Sequence, residues 1–315
     1  MVAKLRRTIS LMAQEKLYGG IEAGGTKYVC AIGSATGTIE SQTRIETTTP
    51  ESTLQRVVQF FLPYTQAGLI KSIGVGCFGP VDLDPKSPSF GFITSTPKPG
   101  WQNTDVVGTL KRALGIQVAF DTDVNAAAFG EFSLGASHGF DPSLYLTIGT
   151  GIGGGFIKDG KPMNGLLHPE MGHIRIPHDR KSDPYGGSCP FHGDCFEGLA
   201  SGPAIEKRLS SRGENLSPDD PFWELEVMYI ANAIENYICI LSPKIIVLGG
   251  GIMQRGNLLP MVRRKVQESL NGYLKSPSLS DNIDSYIVAP DLGNRSGVIG
   301  AIALAVQLES MTRGD

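Results

Sequence analysis

Residues 165–202 read GLLHPEMGHIRIPHDRKSDPYGGSCPFHGDCFEGLASG and hold four of the chain's five histidines. Within them Cys189, His192 and Cys195 stand at C-x2-H-x2-C spacing, with His173 sixteen residues upstream. Zinc takes four nitrogen or sulfur ligands in a tetrahedron, usually a tight cluster of ligands plus a distant one. The segment from 174 to 188 is rich in Gly, Pro, Ser and Asp, so it cannot pack as a regular element and gains from a metal that closes it. The competing assignments are a Cys189–Cys195 disulfide and two unrelated thiols. A chain without a secretion signal is kept reduced, which favours the metal over the disulfide. Two carboxylates, Glu170 and Glu197, are interleaved with these residues, so a metal that fixes the loop also fixes them.

A second kind of chemistry is carried by glycine turns. Gly24, Gly25, Thr26 and Lys27 separate two apolar runs, and residues 149–155 (GTGIGGG) do the same in the second half. Backbone N–H groups with no Cβ in the way form anion-binding concavities, and two such turns suit a phosphate chain. Thr26, Lys27 and Thr150 add side-chain donors, and Gly151 widens the second turn. Gly149, Gly151 and Gly154 satisfy G-x-G-x-x-G, but a dinucleotide site needs a helix to open there. The run GFIKDG reads as a strand and turn, which excludes nicotinamide binding. No G-x-x-x-x-G-K-[ST] is present, and HPEMGH is not H-E-x-x-H. Asp121 and Asp123 close a strand where a helix begins, the place at which α/β folds put working side chains. Either carboxylate suits a general base for an attacking hydroxyl, and either suits a helix N-cap. Spacing alone leaves both open.

The elements that position these groups alternate. Strands are expected over 18–23, 28–32, 39–47, 72–78 and 117–120, with helices over 50–68, 104–114 and 124–134. The order then recurs, with strands over 143–148, 155–157, 245–248 and 286–288 and helices from Pro203 and over 221–241, 258–273 and 296–308. Twice the chain makes strand, glycine hairpin, strand and helix–strand units, so two related α/β domains are expected, with the boundary near 120–125. With 315 residues, 41% hydrophobic and 19% charged, the composition is that of a globular protein of two domains. A net charge of −3 argues against nucleic acid. No apolar run approaches the roughly 20 residues of a membrane span. Residues 1–16 are basic and lack a signal peptide's apolar core, and are expected to form a solvated, partly disordered extension.

These motifs together resemble the ROK family (repressor, open reading frame, kinase) of sugar kinases, its bacterial fructokinases above all. The resemblance runs from Leu17 to Leu308 through YGGIEAGGTKYVCAIG, GCFGPVDLD, TPKPGW, DTDVNAAAFGE, LTIGTGIGGG, HPEMGH with CPFHGDC, and IIVLGGGI. It implies an α/β actin-like ATPase (ribonuclease H-like) fold, two duplicated domains around a cleft, divided as 17–120 and 121–315 with a zinc loop over 165–200. It implies ATP-dependent phosphorylation of a hexose, D-fructose to D-fructose 6-phosphate, with glucose, mannose or N-acetylhexosamine as the alternatives. A non-catalytic, sugar-responsive regulator is the reading from another class. A repressor's helix-turn-helix would need more chain than precedes Tyr18.

By motif position Asp123 becomes the base, and Glu170, Thr122, Gly79 and Pro80 line the sugar. Gly24, Gly25, Thr26, Lys27, Thr150, Gly151, Pro203, Gly250 and Gly251 bind ATP, with Mg²⁺ accompanying it. His173, Cys189, His192 and Cys195 bind a structural Zn²⁺, while His168 and His178 fit the pattern less well and are expected to face solvent. Removing the zinc is expected to act on sugar affinity more than on ATP affinity. A cytoplasmic homodimer without nucleic-acid or membrane partners completes the set. Glu22 stands where many relatives have Asp, and Thr122 where many have Asn. The second change removes a hydrogen bond to a pyranose and suits a furanose. Glu197 is either a sugar contact or a buttress of its loop.

Overall fold

The computed structural model describes residues 16–313; the extension expected over 1–16 lies outside them except for Lys16. Contacts divide the described residues into two compact units, 16–126 with 297–313, and 127–296. Among the described residues no helix is long and apolar enough to cross a membrane.

The first unit is a five-stranded sheet with helices on both faces. Its strands are β1 (Leu17–Ala23), β2 (Lys27–Ser34), β3 (Ile39–Glu46) and β4 (Ile70–Cys77). After a short antiparallel pair, β5 (Phe92–Ile93) and β6 (Thr104–Asp105), comes β7 (Gln117–Thr122). The order is β3-β2-β1-β4-β7. β1 is antiparallel to β2 and parallel to β4, which is parallel to β7. Helix α1 (Pro50–Gln66) starts at Thr49, whose side chain accepts the Ser52 N–H, and buries Leu54, Val57 and Phe61 at helical spacing. Helix α2 (Val106–Leu114) is capped by Asp105 and stopped by Gly115 in the left-handed conformation.

The last helix, α8 (Ser296–Arg313), belongs to this unit from Gly297 onward. The division expected at residue 120 placed it with everything C-terminal, and the reason for the difference is steric. Successive strand residues face opposite sides of a sheet. A Cβ on Gly19 would meet Ile73 and Phe61 on the α1 side, and one on Gly20 would meet Ile302 and the Val298 carbonyl on the other. A Cβ on Gly74 would lie 1.9 Å from the Ala301 oxygen. Bare backbone on this face lets α8 lie almost on the sheet. Gly74→Ala is therefore expected to lift α8 and destabilise the protein by about 1–3 kcal/mol or more, read as a lowered melting temperature.

The second unit repeats the plan after α3 (Asp123–Leu134), within which the chain passes from one unit to the other. Its strands are β8 (Ser143–Ile148), β9 (Ile152–Lys158), β10 (Lys161–Pro162), β11 (Ile245–Gly249) and β12 (Ile287–Val288), in the order β10-β9-β8-β11-β12. The β8/β9 pair is antiparallel, and β8, β11 and β12 are parallel. Strand for strand, this is the order and polarity of the first sheet. Helices α4 (Phe196–Ala200), α5 (Gly202–Leu209), α6 (Phe222–Leu241) and α7 (Leu258–Leu270) supply much of the remaining core. In α7 the buried residues Leu258, Val262, Val266 and Leu270 recur every four positions, and Asn271 in the left-handed conformation ends it three residues before the expected 273.

Candidate active site and metal centre

In the first unit the chemistry-bearing residues gather at the carboxyl ends of three parallel strands. Ala23 pairs with Cys77, and Cys77 with Thr122. Glu22, the Gly24–Lys27 turn, Gly79, Pro80 and Asp123 therefore share one sheet edge, where α/β folds place ligands. The turn is closed by the Gly24 N–H donating to Lys27 O at 3.0 Å and braced by Thr47, whose hydroxyl donates to Gly24 O at 2.8 Å. Thr26 and Lys27 are exposed. Pro80 O accepts from both the backbone N–H and the hydroxyl of Thr94.

Asp121 and Asp123 are separated by what surrounds them. Asp121 is buried, and its Oδ1 accepts from Thr122 N at 2.8 Å and Asn125 Nδ2 at 2.7 Å. It is a brace for the strand–helix junction. Thr122 is also buried, and its Oγ1 caps α3 by accepting the Asn125 N–H at 3.0 Å. That cap, rather than an exposed sugar contact, is the observed use of the Thr122 oxygen. Asp123 follows as the first residue of α3, half-buried, with Val124 N–H on Oδ1 at 2.9 Å. Loss of hydration raises its carboxyl to about 6, against the pull of backbone N–H groups. Gly76 makes room for it, since a Cβ there would lie 2.5 Å from the Ala126 Cβ and 3.3 Å from the Asp123 Cα.

Glu22 is the second carboxyl at this edge. Burial and the Asp123 charge raise its pKa, while Lys27 and Arg44 pull it down. Its Oε2 is buried without a hydrogen-bond partner. An orphaned carboxylate oxygen influenced by a second carboxyl suits a divalent cation with oxygen ligands, so the residues present fit Mg²⁺.

In the second unit the glycine turns also meet. Gly149 N–H donates to Gly151 O at 2.9 Å, and Gly202 N–H donates to Gly149 O at 2.7 Å. A Cβ on Gly149 would lie 3.5 Å from Gly251 N, and Gly250, at φ +96°, packs so closely that a Cβ would lie 2.2 Å from Ile148 O. Thr150, Gly151, Gly250 and Gly251 are thereby brought together with the segment carrying Pro203. The chain enters β9 at Ile152 rather than a helix, which is why G-x-G-x-x-G is no dinucleotide site here.

The four expected metal ligands converge. One ligand atom from each of His173, Cys189, His192 and Cys195 lies within 4.8 Å of the others. His173 Nδ1 is 3.7 Å from Cys189 Sγ and 3.5 Å from Cys195 Sγ, and His192 Nδ1 is 3.6 Å from Cys189 Sγ. A tetrahedral zinc with ordinary Zn–S and Zn–N bonds sets an S···N edge of about 3.6 Å. All five cysteines are free, so no disulfide competes. The knuckle is a tight turn in which Cys189 and Gly193 exchange both backbone hydrogen bonds. His173 ends a single 3-10 turn over Met171–His173, and its N–H donates to Glu170 O at 3.0 Å. The Glu170 side chain is about half exposed. The residues present fit a four-coordinate metal.

Two histidines expected to face solvent do not. His168 is buried, with Nδ1 3.4 Å from Glu170 Oε1, and burial lowers its pKa. His178 lies within reach of Asp194 Oδ2 at 3.2 Å and Asp183 O at 2.9 Å. Asp194, beside the candidate ligand Cys195, also accepts from Arg175 and Arg180. The bond to His178 and then that to Arg180 hold its carboxyl down at about 2. Asp183 is tied by Arg208 at 3.0 Å and the Tyr229 hydroxyl at 2.6 Å. This polar scaffold escaped sequence reading because its partners come from loops and helices far apart in the chain. Glu197 accepts the Ile152 N–H at 2.9 Å through Oε2, a role that only the fold reveals.

A duplicated α/β fold with a glycine hairpin in each half and a raised carboxyl at a strand end is that of a phosphoryl transferase of the actin-like ATPase class. The ROK family model matches residues 18–308, and the chain belongs to that family. A Bacillus subtilis protein provisionally named a fructokinase is 50% identical over 291 residues, covering 92% of this chain and 96% of its own. The fructokinase of Zymomonas mobilis is 45% identical over 304 residues, covering 94% and 98%. Among solved structures, a ROK family glucokinase of Streptomyces griseus in complex with glucose and AMPPNP is 25% identical with a TM-score of 0.73, covering 92% of this chain and 99% of that one.

Proposed function

We propose that this chain is an ATP-dependent fructokinase that converts D-fructose to D-fructose 6-phosphate. The observation that carries the reading is Asp123, a half-buried carboxyl raised to about 6 at the carboxyl end of β7, in a chain 43–50% identical to relatives named fructokinases. A base ionised near neutral pH and still basic enough to take a proton is what hydroxyl attack requires.

In the reaction the 6-hydroxyl oxygen of the sugar bonds to the γ-phosphorus, its proton passes to the Asp123 carboxylate, and the bond from that phosphorus to the β,γ-bridging oxygen breaks, releasing ADP. Glu170, Gly79 and Pro80 are assigned to hold the sugar, with Thr122 supporting Asp123 as the cap of α3. The backbone N–H groups at Gly24, Gly25, Thr150 and Gly151, with Thr26 and Lys27, are assigned to the phosphates. Gly250, Gly251 and Pro203 are assigned to the nucleoside. Mg²⁺, when bound with ATP, neutralises phosphate charge, and Glu22 would hold it through the unpartnered Oε2. Zinc on His173, Cys189, His192 and Cys195 has no ligand position left for water and is structural. The same reading carries a homodimer in the cytoplasm.

Initial rates of ADP release over a panel of fructose, glucose, mannose, N-acetylglucosamine and N-acetylmannosamine test the substrate. Fructose is expected to give the largest kcat/KM. A larger value for any pyranose-preferring sugar would replace fructose with that sugar.

A further inference from the structure

Glu197 stands between the metal ligands and the glycine hairpin that follows β8. It is the second residue of α4, which begins directly after the ligand Cys195. Its Oε2 accepts the N–H of Ile152, where the hairpin returns as β9. Its Oε1 lies 4.0 Å from Nε2 of His173, the ring whose Nδ1 faces both ligand thiols. A neutral imidazole that binds metal through one nitrogen carries its proton on the other, and a carboxylate facing that N–H sets the orientation of the ring. The packing leaves no slack on the hairpin side, because a Cβ on Gly151 would lie 2.9 Å from Oε2. A backbone link runs in parallel: Ser201 N–H donates to Glu197 O at 3.1 Å, and the next N–H, of Gly202, donates to Gly149 O. Hairpin residues 149 and 152 are thus held by one short segment that starts at a candidate metal ligand, with Gly151 packed against the same carboxylate.

We infer that Glu197 is a positioning residue that couples the metal centre to the phosphate hairpin, so that zinc and nucleotide each strengthen the binding of the other. The inference rests on reading the cluster as a zinc site and the hairpin as a nucleotide-phosphate site. A metal on His173 orients the imidazole and, across from it, the Glu197 carboxylate. Phosphates bound to the hairpin order the backbone that the same carboxylate grips. Two ligands that order one segment bind cooperatively, and the coupling factor is the same in both directions. The metal's influence then reaches the nucleotide as well as the sugar, beyond the sugar-weighted effect expected from the position of Glu170 alone.

The test measures that factor. Affinity for the non-hydrolysable analogue AMPPNP is taken by calorimetry on zinc-loaded and zinc-depleted protein. Zinc affinity is taken by competition with a chromogenic chelator, with and without AMPPNP. In the native protein both comparisons should give the same factor, within the roughly 5–150-fold usual for coupled sites. Glu197→Gln keeps an oxygen for the Ile152 N–H but no charge toward His173, and its factor should be several-fold smaller; Glu197→Ala, which leaves only the backbone link, should reduce it further still. A merely structural role would lower the melting temperature of these variants and leave the factor unchanged. Native protein that binds zinc and AMPPNP independently, or an unchanged factor in either variant, overturns the inference alone. Native protein that binds no zinc, or no AMPPNP, overturns the underlying reading and the inference with it.

Discussion

Asp123→Asn is expected to lower kcat by roughly 10²–10⁴-fold, the range of a lost general base, with fructose binding retained and the melting temperature raised at neutral pH. The gain in stability follows from the direction of the pKa shift. The folded carboxyl titrates at about 6, above the ordinary 3.8, so the folded state binds the proton more tightly than the unfolded state does. Below pH 4 both states are protonated and the side chain costs nothing. From pH 4 to 6 stability falls as pH rises, and above 6 the full cost, at most about 3 kcal/mol, is present. The amide removes that cost, so the variant should melt higher than the native protein at pH 7.5 and alike at pH 4. The same titration gives kcat/KM an acid limb near pH 6 that the variant lacks. Asp121→Asn is the control. Its Oδ1 bonds to Thr122 and Asn125 make it a brace, so it should lose stability and much less turnover; a larger kcat loss from Asp121→Asn would contradict the assignment.

Loss of the metal is the second large effect. The native protein is expected to carry one zinc per chain, and Cys189→Ser and Cys195→Ser are each expected to abolish its binding. A ligand held at about 1,000 times its Kd contributes about 4 kcal/mol to the folded state, so the melting temperature should fall by roughly 10 °C. Fructose KM should rise, because Glu170, assigned to the sugar, is tied to the candidate ligand His173: Glu170 O accepts the His173 N–H at 3.0 Å. Elemental analysis, melting and kinetics on the same preparations check all three. Full activity after verified zinc removal would refute the account of residues 165–200.

What could be read from the sequence was local. Glycine between apolar runs marked both hairpins, and the helices expected over 50–68 and 104–114 fall on α1 and α2. The C-x2-H-x2-C spacing brought three ligands together without any knowledge of the fold. What could not be read was tertiary. The place of α8 depends on Gly20 and Gly74 exposing backbone on one sheet face, and glycine in a strand signals no partner. His168 and His178 look like loop histidines until the fold buries one beside Glu170 and wedges the other between Asp183 and Asp194. Glu197 sits 45 residues from the amide it accepts, a pairing that no spacing rule reaches.

The central claim is the transfer of a phosphoryl group from ATP to fructose, and phosphorus NMR of native protein with MgATP and fructose tests it most directly. One new phosphomonoester resonance, that of fructose 6-phosphate, should grow in step with ADP. Inorganic phosphate alone, fructose 1-phosphate, or an unchanged ATP spectrum would contradict it.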